Sequence, residues 1–199
     1  MKADKRKNKL GIIFIICGPS GSGKTTLLSS LIKAKKIAKL IIKSCSITTR
    51  PKRSGEQEGK DYFFVSEARF QHLLKAKKIL EWTRYLGYYY GTPKGPLEKN
   101  FKTGVNLGLC LDLKGARMLK KLYPENVVSI FVLPPSLEVL KHRIEGRCSK
   151  ANKKEVAQRI SLARKELLAA VEFDYCILNK NLKFALTELK TIFLQEINA

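Results

Sequence analysis

The chain has 199 residues, of which 44% are hydrophobic, and this composition supports one sizeable core and excludes wholesale disorder. Its 39 Lys and Arg outnumber its 17 Asp and Glu, which gives a formal net charge of +22. Such an excess favours anionic partners, but the basic residues are spread along the chain and form no DNA- or RNA-reading motif. Composition therefore predicts one globular domain without specific nucleic-acid recognition, and leaves nucleic-acid binding open as a side property.

Cysteine usage and hydropathy exclude further classes. Five cysteines without CxxC spacing and two distant histidines argue against a disulfide framework or a zinc site. No apolar run is long enough to span a bilayer. Residues 2–17 resemble a secretory leader, but GPSGSGKTT follows where a cleavage site would stand. We therefore predict a cytoplasmic protein with no membrane partner and a basic N-terminal extension over residues 1–9.

In chain order, strands and helices are predicted to alternate. Short apolar runs predict buried strands at 10–17, 41–46, 105–111, 127–133 and 174–178. Apolar residues at helical spacing predict helices at about 23–35, 114–122, 136–146, 153–171 and 182–197. Alternation of this kind predicts an α/β fold with a parallel sheet covered by helices on both faces. Residues 47–92 are polar, turn-rich and aromatic, with a strand candidate at 61–65, and they predict an insertion.

The strongest chemical signal is GPSGSGKTT at residues 18–26. The four defining positions of a phosphate-binding loop are filled by Gly18, Gly23, Lys24 and Thr25. Glycines let backbone N–H groups surround phosphate oxygens, and the N-terminus of the following helix adds a positive dipole end. Lys24 would reach the β- and γ-phosphates, and Thr25 would ligate Mg²⁺. The loop predicts a nucleoside triphosphate site but does not identify the acceptor.

A second set of polar and aromatic residues points to the acceptor. It consists of Ser46, Arg50, Arg53, Tyr62, Glu81, Tyr90 and Thr92. Arginine holds phosphate through its forked donors, and tyrosine hydroxyls add hydrogen bonds to the same oxygens. Glu81 stands between apolar neighbours, where a carboxylate suits the paired N–H donors of guanine, which adenine lacks. A solvent-facing Glu81 is the plainer interpretation, but the two arginines, two tyrosines and serine in the same segment favour a pocket for GMP.

Over nearly its whole length the sequence resembles the guanylate kinases. The matching segments are GPSGSGKTT, SITTRPKRSGEQEGKDYFFVS, ILEWTRYLGYYYGTP, LDLKGA, FVLPPSLEVLKHRIEGR and AVEFDYCILN. The resemblance implies a P-loop three-layer fold and transfer of a phosphoryl group from ATP, with Mg²⁺, to GMP and dGMP in purine metabolism. It also implies a core of residues 10–45 and 93–199, a GMP-binding region at about 46–92, and a lid at about 143–159.

The resemblance also implies a role for each matching residue. The GMP phosphate would be held by Arg50, Arg53, Tyr62 and Tyr90, and the guanine surrounded by Ser46, Glu81, Thr92 and Asp112. The catalytic set would be Lys24, Arg50, Arg143, Arg147 and Arg159, the last three approaching from the lid. ATP would be bound by Gly18, Pro19, Ser20, Gly21, Ser22, Gly23, Lys24, Thr25, Thr26 and Asn179, with Asn179 near the adenine.

Three features depart from the family pattern. Cys110 stands in place of the first of two carboxylates, which leaves Asp112. The lid has Arg147-Cys148-Ser149-Lys150 instead of RGTD or RGTE, with one residue inserted before Arg159. Lys114 replaces a common glutamine.

Two other functions compete with GMP phosphorylation. A ribose 1,5-bisphosphate kinase would use the same loop, but its substrate offers no guanine edge for Ser46 and Glu81. A non-catalytic module that binds phosphorylated partners would not need Lys24 and Thr25, which this chain retains. The sequence leaves the oligomeric state open.

Overall fold

The computed structural model describes residues 10–147 and 153–199. In chain order the elements are β1 (Ile13–Cys17), α1 (Lys24–Lys33), β2 (Ile41–Lys43), β3 (Ser46–Thr48), β4 (Tyr62–Phe64), α2 (Glu67–Lys75), β5 (Ile79–Tyr85), β6 (Tyr88–Pro93), α3 (Lys94–Lys102), β7 (Asn106–Cys110), α4 (Leu113–Leu122), β8 (Val127–Leu133), α5 (Leu137–Arg147), α6 (Lys153–Leu168), β9 (Tyr175–Leu178) and α7 (Leu182–Asn198). A 3₁₀ turn, Ala169–Glu172, joins α6 to β9.

A five-stranded parallel sheet forms the core, in the order β2-β7-β1-β8-β9. The central strand β1 (IFIIC) is buried along its whole length because helices cover both faces of the sheet. The neighbouring β8 (VVSIFVL) is almost as apolar and is buried over six of its residues. The predicted parallel α/β sheet is therefore confirmed.

Successive residues of β1 point to opposite faces of the sheet and enter two different cores. On one face, Phe14 packs with α1 and α7, and its ring centroid lies 4.8 Å from that of Phe193. On the other face, Ile13 and Ile15 pack with residues of α3 and α4. The prediction of helices on both faces is confirmed.

Residues 46–93 build a separate four-stranded sheet in the order β4-β3-β6-β5, with α2 packed against it. Phe70 of α2 is fully buried there, stacked 5.2 Å from Tyr89. The strand candidate at 61–65 corresponds to β4, whereas β3, β5, β6 and α2 are additional to the predicted elements. Their alternating polar and aromatic residues suit a small sheet with one exposed face, which a search for continuous apolar runs overlooks.

Helix α3 is a further addition, and its first turn explains why the sequence pattern hid it. The helix begins at Lys94 and includes Gly95 and Pro96, two residues that usually break helices. The first N–H groups of a helix have no intrahelical acceptor, so a proline in the first turn forfeits no hydrogen bond. Leu97 and Phe101 then fix the helix by entering the core.

Two observations bear on the predictions from cysteine usage and hydropathy. Within the described residues, Cys17, Cys45, Cys110 and Cys176 are free thiols, and Cys148 lies outside those residues. None of the helices in the described ranges is both long and apolar enough to cross a bilayer.

The core on the α7 side of the sheet predicts that alanine substitution of two phenylalanines in α7 will change the free energy of unfolding by very different amounts. Phe193→Ala should lower the free energy of unfolding by about 3–5 kcal/mol, because Phe193 is fully buried against Phe14. Phe184→Ala is the matched control in the same helix, and it should cost less than about 0.5 kcal/mol because Phe184 is 75% exposed. Urea titration of both variants measures the difference, and equal losses would contradict this packing.

Candidate nucleotide-binding site

The phosphate-binding loop lies at the carboxyl end of β1, where β1 is flanked by β7 on one side and β8 on the other. In parallel α/β sheets, this is where the crevice for a ligand opens. Gly18 and Gly23 have φ angles of 135° and 99°, in the region that favours glycine. A Cβ on Gly18 would also lie 2.5 Å from the carbonyl oxygen of Val132. The loop therefore needs glycine for both conformation and space.

Asn179, the residue after β9, stabilises this loop. Its buried side-chain Nδ2 donates to the carbonyl oxygen of Ser22 at 2.8 Å. The contact is so close that a Cβ on Gly23 would lie 2.2 Å from that Nδ2. Arg143 in turn donates to the Asn179 carbonyl oxygen at 3.1 Å. Asn179 is thus a support for the loop, and its predicted place near adenine stays a prediction.

Two cationic side chains donate hydrogen bonds to groups of the loop. Lys24 Nζ donates to the carbonyl oxygens of Gly18 at 2.5 Å and of Pro19 at 2.9 Å. Arg159 of α6 donates to Ser20 Oγ at 2.9 Å and pairs with Glu155 at 2.7 Å. The predicted proximity of Arg159 to the loop is therefore present, and α6 brings a cation to the phosphate side of the crevice.

One continuous cleft joins the loop to the second sheet. Of the predicted residues, its wall contains Gly18, Ser20, Gly21, Gly23, Lys24, Thr25, Ser46, Tyr62, Glu81, Tyr90, Asp112 and Arg159. The neighbouring opening is lined by Arg50 and Arg53 and shares Tyr90 and Arg159 with the cleft. The structure therefore brings most of the two predicted sets together at one place.

Glu81 is the most unusual group in this cleft. It lies on β5 with 4% of its surface exposed, and its Oε1 accepts a hydrogen bond from Thr92 Oγ1 at 2.5 Å. Burial raises the pKa of Glu81 from its ordinary value of 4.5 to about 7, although the bond from Thr92 opposes the change. The nearby Asp112 charge raises that pKa further. Thr92 thus orients the carboxylate, and its predicted contact with guanine stays a prediction.

Asp112 has a structural contact as well as a place in the cleft. It is the N-cap of α4, and its Oδ1 accepts from the Gly115 N–H at 2.9 Å. The first turn of α4 is thus fixed directly beside Glu81.

The arginines of the second sheet are held by Glu56, a residue absent from the predicted set. Arg50 is 7% exposed and donates to both carboxylate oxygens of Glu56, at 2.7 and 3.0 Å. The Arg50 guanidinium lies over the ring of Tyr62, 5.5 Å from its centroid. The backbone N–H of Arg53 donates to Glu56 as well, at 2.8 Å. Burial alone would raise the pKa of Glu56, but these donors lower it below its ordinary value.

Two further residues of the cleft wall, Tyr85 and Glu166, were also missed. Burial raises the pKa of Glu166 to about 7 and raises that of the Tyr85 hydroxyl. Neither Glu166 Oε2 nor the Tyr85 hydroxyl has a hydrogen-bond partner within residues 10–147 and 153–199. Periodicity contained the signal for both: Tyr85 shares a strand face with Glu81, and Glu166 follows Arg159 by two helical turns.

Cys110 stands at the carboxyl end of β7, beside the phosphate loop. Burial raises the pKa of its thiol to about 11, with Lys24 and a hydrogen bond from the Thr25 hydroxyl opposing that change. The thiol is therefore neutral at physiological pH and supplies no charge to a cation. Mg²⁺ prefers oxygen ligands, and Thr25 offers a hydroxyl in the same cleft.

Not every predicted residue faces the cleft. Arg143 contacts the segment after β9 instead. Thr26 is exposed on the first turn of α1. The Arg147 side chain lies outside the described part of the chain, as does the segment 148–152 that departs from the family pattern.

Known proteins resemble this chain over almost its whole length. A family model described as guanylate kinase matches residues 11–196. The chain belongs to the guanylate kinase family. It is 41% identical over 182 residues to a guanylate kinase of Lactobacillus johnsonii, covering 92% of this chain and 87% of that protein. A guanylate kinase of Mycoplasma genitalium is 40% identical over 189 residues, and the match covers 95% of this chain and 78% of that protein.

A solved structure agrees at the level of the fold. The crystal structure of guanylate kinase from Anaplasma phagocytophilum has a TM-score of 0.75 with this chain. The match covers 94% of this chain and 86% of that one, at 32% identity. The family resemblance drawn from the sequence motifs is confirmed.

The raised pKa of Glu81 predicts that this group contributes less to the stability of the ligand-free protein at neutral than at acidic pH. Between about pH 4.5 and about pH 7, folded Glu81 keeps a proton that the unfolded chain has released, so stability falls as pH rises through this window. Across this window Glu81 should lower the free energy of unfolding by an amount on the order of 2–3 kcal/mol. Glu81→Gln should remove this contribution. Urea titrations from pH 4.5 to 8 measure the slope, and the exposed Glu125→Gln is the control. An unchanged slope in Glu81→Gln would contradict the burial of this carboxyl group.

Proposed function

We propose that this protein transfers the γ-phosphoryl group of ATP to GMP, giving ADP and GDP. Membership of the guanylate kinase family supports this reaction. The observation that most favours GMP as the acceptor is the buried carboxylate of Glu81, in the same cleft as the phosphate-binding loop.

Guanine recognition follows from the hydrogen-bonding capacity of Glu81. Each oxygen of an ionised carboxylate can accept more than one hydrogen bond, and guanine presents N1–H and N2–H₂ on one edge. Thr92 holds Oε1 and so fixes the plane of the carboxylate, while Ser46 and Asp112 line the same cleft. AMP would leave a buried carboxylate facing an unsuitable edge. Sites of this kind discriminate by roughly 10⁴–10⁵.

The acceptor phosphate would lie against Arg50, Arg53, Tyr62 and Tyr90. Arg50 supplies a planar fork that matches phosphate oxygens. In the ligand-free protein this fork is paired with Glu56 and stacked over Tyr62, so its orientation is set before the substrate arrives. Two hydroxyls and two guanidinium groups would then surround a dianion, which explains why this part of the site contains several cations.

Phosphoryl transfer needs positioning and charge neutralisation more than proton abstraction, because the attacking GMP oxygen is already anionic. Lys24 would exchange its bonds to Gly18 and Pro19 for the β- and γ-phosphates. Arg159 already touches the loop through Ser20 and would contact the transferring group. Arg143 and Arg147 would contribute from the lid, whose closure would exclude water.

ATP would bind with its phosphates in the loop formed by residues 18–26, which Asn179 supports through Ser22. Thr25 would hold Mg²⁺ together with the ATP phosphates, and the ion, when bound, neutralises charge on the β- and γ-phosphates. Cys110 offers no second carboxylate here, so the chain relies on Thr25 and the phosphates for the ion.

A substrate panel tests the function directly. ADP release should be measured with ATP and Mg²⁺ against GMP, dGMP, AMP, CMP, UMP and ribose 1,5-bisphosphate. GMP should give the highest kcat/KM, and AMP should be lower by roughly 10⁴-fold if Glu81 recognises guanine. Equal activity with AMP would contradict guanine recognition. Selective activity with the ribose bisphosphate would favour a ribose 1,5-bisphosphate kinase. No activity with any acceptor would favour a non-catalytic module that binds phosphorylated partners.

The role of Lys24 predicts a separable loss of activity. Lys24→Ala should lower kcat by roughly 10²-fold or more, because a cation on the transferring phosphates is lost. The melting temperature should change little, since Lys24 bonds only to loop carbonyl oxygens. Lys33→Ala, an exposed lysine at the other end of α1, is the control and should leave kcat unchanged. Full activity in Lys24→Ala would refute the assignment.

A further inference from the structure

Gly115, the third residue of α4, lies directly against the carboxylate of Glu81. A Cβ placed on Gly115 would be 2.6 Å from Glu81 Oε2 and 3.1 Å from its Cδ. Real Cβ atoms do not approach other heavy atoms as closely as the first of these distances. The position is also buried, and because the backbone sets where a Cβ lies, a methyl group there could not turn away from this contact. Any side chain at 115 therefore has to displace the carboxylate.

The backbone gives no other reason for glycine at this position. The φ angle of Gly115 is not among the positive ones, so alanine would adopt it without strain. Within a helix, glycine is less favourable than alanine because it loses more conformational freedom on folding. The missing side chain therefore works against the stability of α4, and the space it leaves is occupied by Glu81.

The carboxylate cannot shift without losing other contacts. Glu81 Oε1 is held by Thr92 on β6, while Oε2 faces Gly115 on α4. The same turn of α4 is fastened to β5 next to Glu81, since Lys114 Nζ lies 4.7 Å from the ring centroid of Trp82. Asp112 caps the turn through the Gly115 N–H. The carboxylate is thus located by two elements, one on each side.

We propose that Gly115 is a positioning residue for the acceptor base: by lacking a side chain, it lets the Glu81 carboxylate sit against α4 at the depth that guanine requires. The inference rests on the proposed function, because it concerns how that acceptor is recognised. It assigns the specificity of the site jointly to the second sheet, which supplies Glu81, and to the core helix α4, which sets its position.

Gly115→Ala tests this directly in steady-state assays. The KM for GMP should rise about 10- to 100-fold, the worth of a hydrogen bond to a charged group. The KM for ATP should stay within about twofold. The melting temperature should fall modestly, because the methyl group displaces a buried carboxylate and the better helix propensity of alanine offsets only part of that cost. Gly95→Ala is the matched control: Gly95 also lies in the first turn of a helix, but a Cβ there meets nothing within 4 Å.

A double-mutant cycle with Glu81→Asp separates positioning from general damage. Aspartate is shorter by one methylene, so its carboxylate leaves the space that the methyl group introduced by Gly115→Ala would fill. The effect of Gly115→Ala on the KM for GMP should therefore shrink to about threefold or less in the Glu81→Asp background. Additive effects would show that Gly115 does not act through Glu81.

The outcomes distinguish this inference from the proposed function. A wild-type protein without GMP-dependent ADP release would contradict the proposed function. A wild type active on GMP, with a Gly115→Ala variant of normal KM, would contradict the inference alone. If Gly115→Ala failed to fold while Gly95→Ala folded normally, Gly115 would be a requirement for folding, and the positioning role would be wrong.

Discussion

The proposed acceptor side of this protein depends on one constraint, which is a carboxylate buried away from water. Glu81 is buried between a small sheet and a core helix, and removing a charge from water costs free energy. The protein offsets part of this cost with one hydrogen bond from Thr92, and the pKa of Glu81 stays near 7. A base with two N–H donors would supply the compensation that the ligand-free protein lacks. Affinity and selectivity then have the same physical origin.

The triphosphate side depends on a different constraint, which is close backbone approach. Gly18 touches Val132 of β8, and Gly23 touches Asn179 beyond β9, at distances that exclude a Cβ. The loop is therefore in close contact with the end of β8 and with the residue that follows β9. Such a loop presents N–H groups in a fixed arrangement, so little reorganisation is required when phosphate oxygens bind.

Between these two sides, the charged groups are paired in a way that fits anionic substrates. Arg50 pairs with Glu56, and Arg159 pairs with Glu155 while touching Ser20 of the loop. Each pairing orders a long side chain in the ligand-free protein, and under the proposed function this would reduce the entropy lost when phosphate binds. Glu166 in the same cleft keeps a pKa near 7 by burial, so the cleft contains two carboxyl groups whose charge changes close to physiological pH.

The parallel sheet, the phosphate-binding loop and the family could all be predicted from the sequence. Continuous apolar runs are local signals, and the loop motif combines residue type with spacing, so both can be recognised without knowledge of tertiary contacts. Glu81 was also visible, because a charge between apolar neighbours is conspicuous. Helix α3 was hidden by Gly95 and Pro96, since its stability comes from Leu97 and Phe101 in a distant core.

The tertiary structure alone decided how the site is held together. Thr92 supports Glu81, Glu56 holds Arg50, and Asn179 supports the phosphate loop from 157 residues away. Gly115 is the clearest case, because a glycine in a helix has no local reason to be there. The reason that we propose for this glycine is its contact with the carboxylate of Glu81, which belongs to the four-stranded sheet. Contacts between residues far apart in the chain depend on how elements pack, and no local pattern of residue types specifies them.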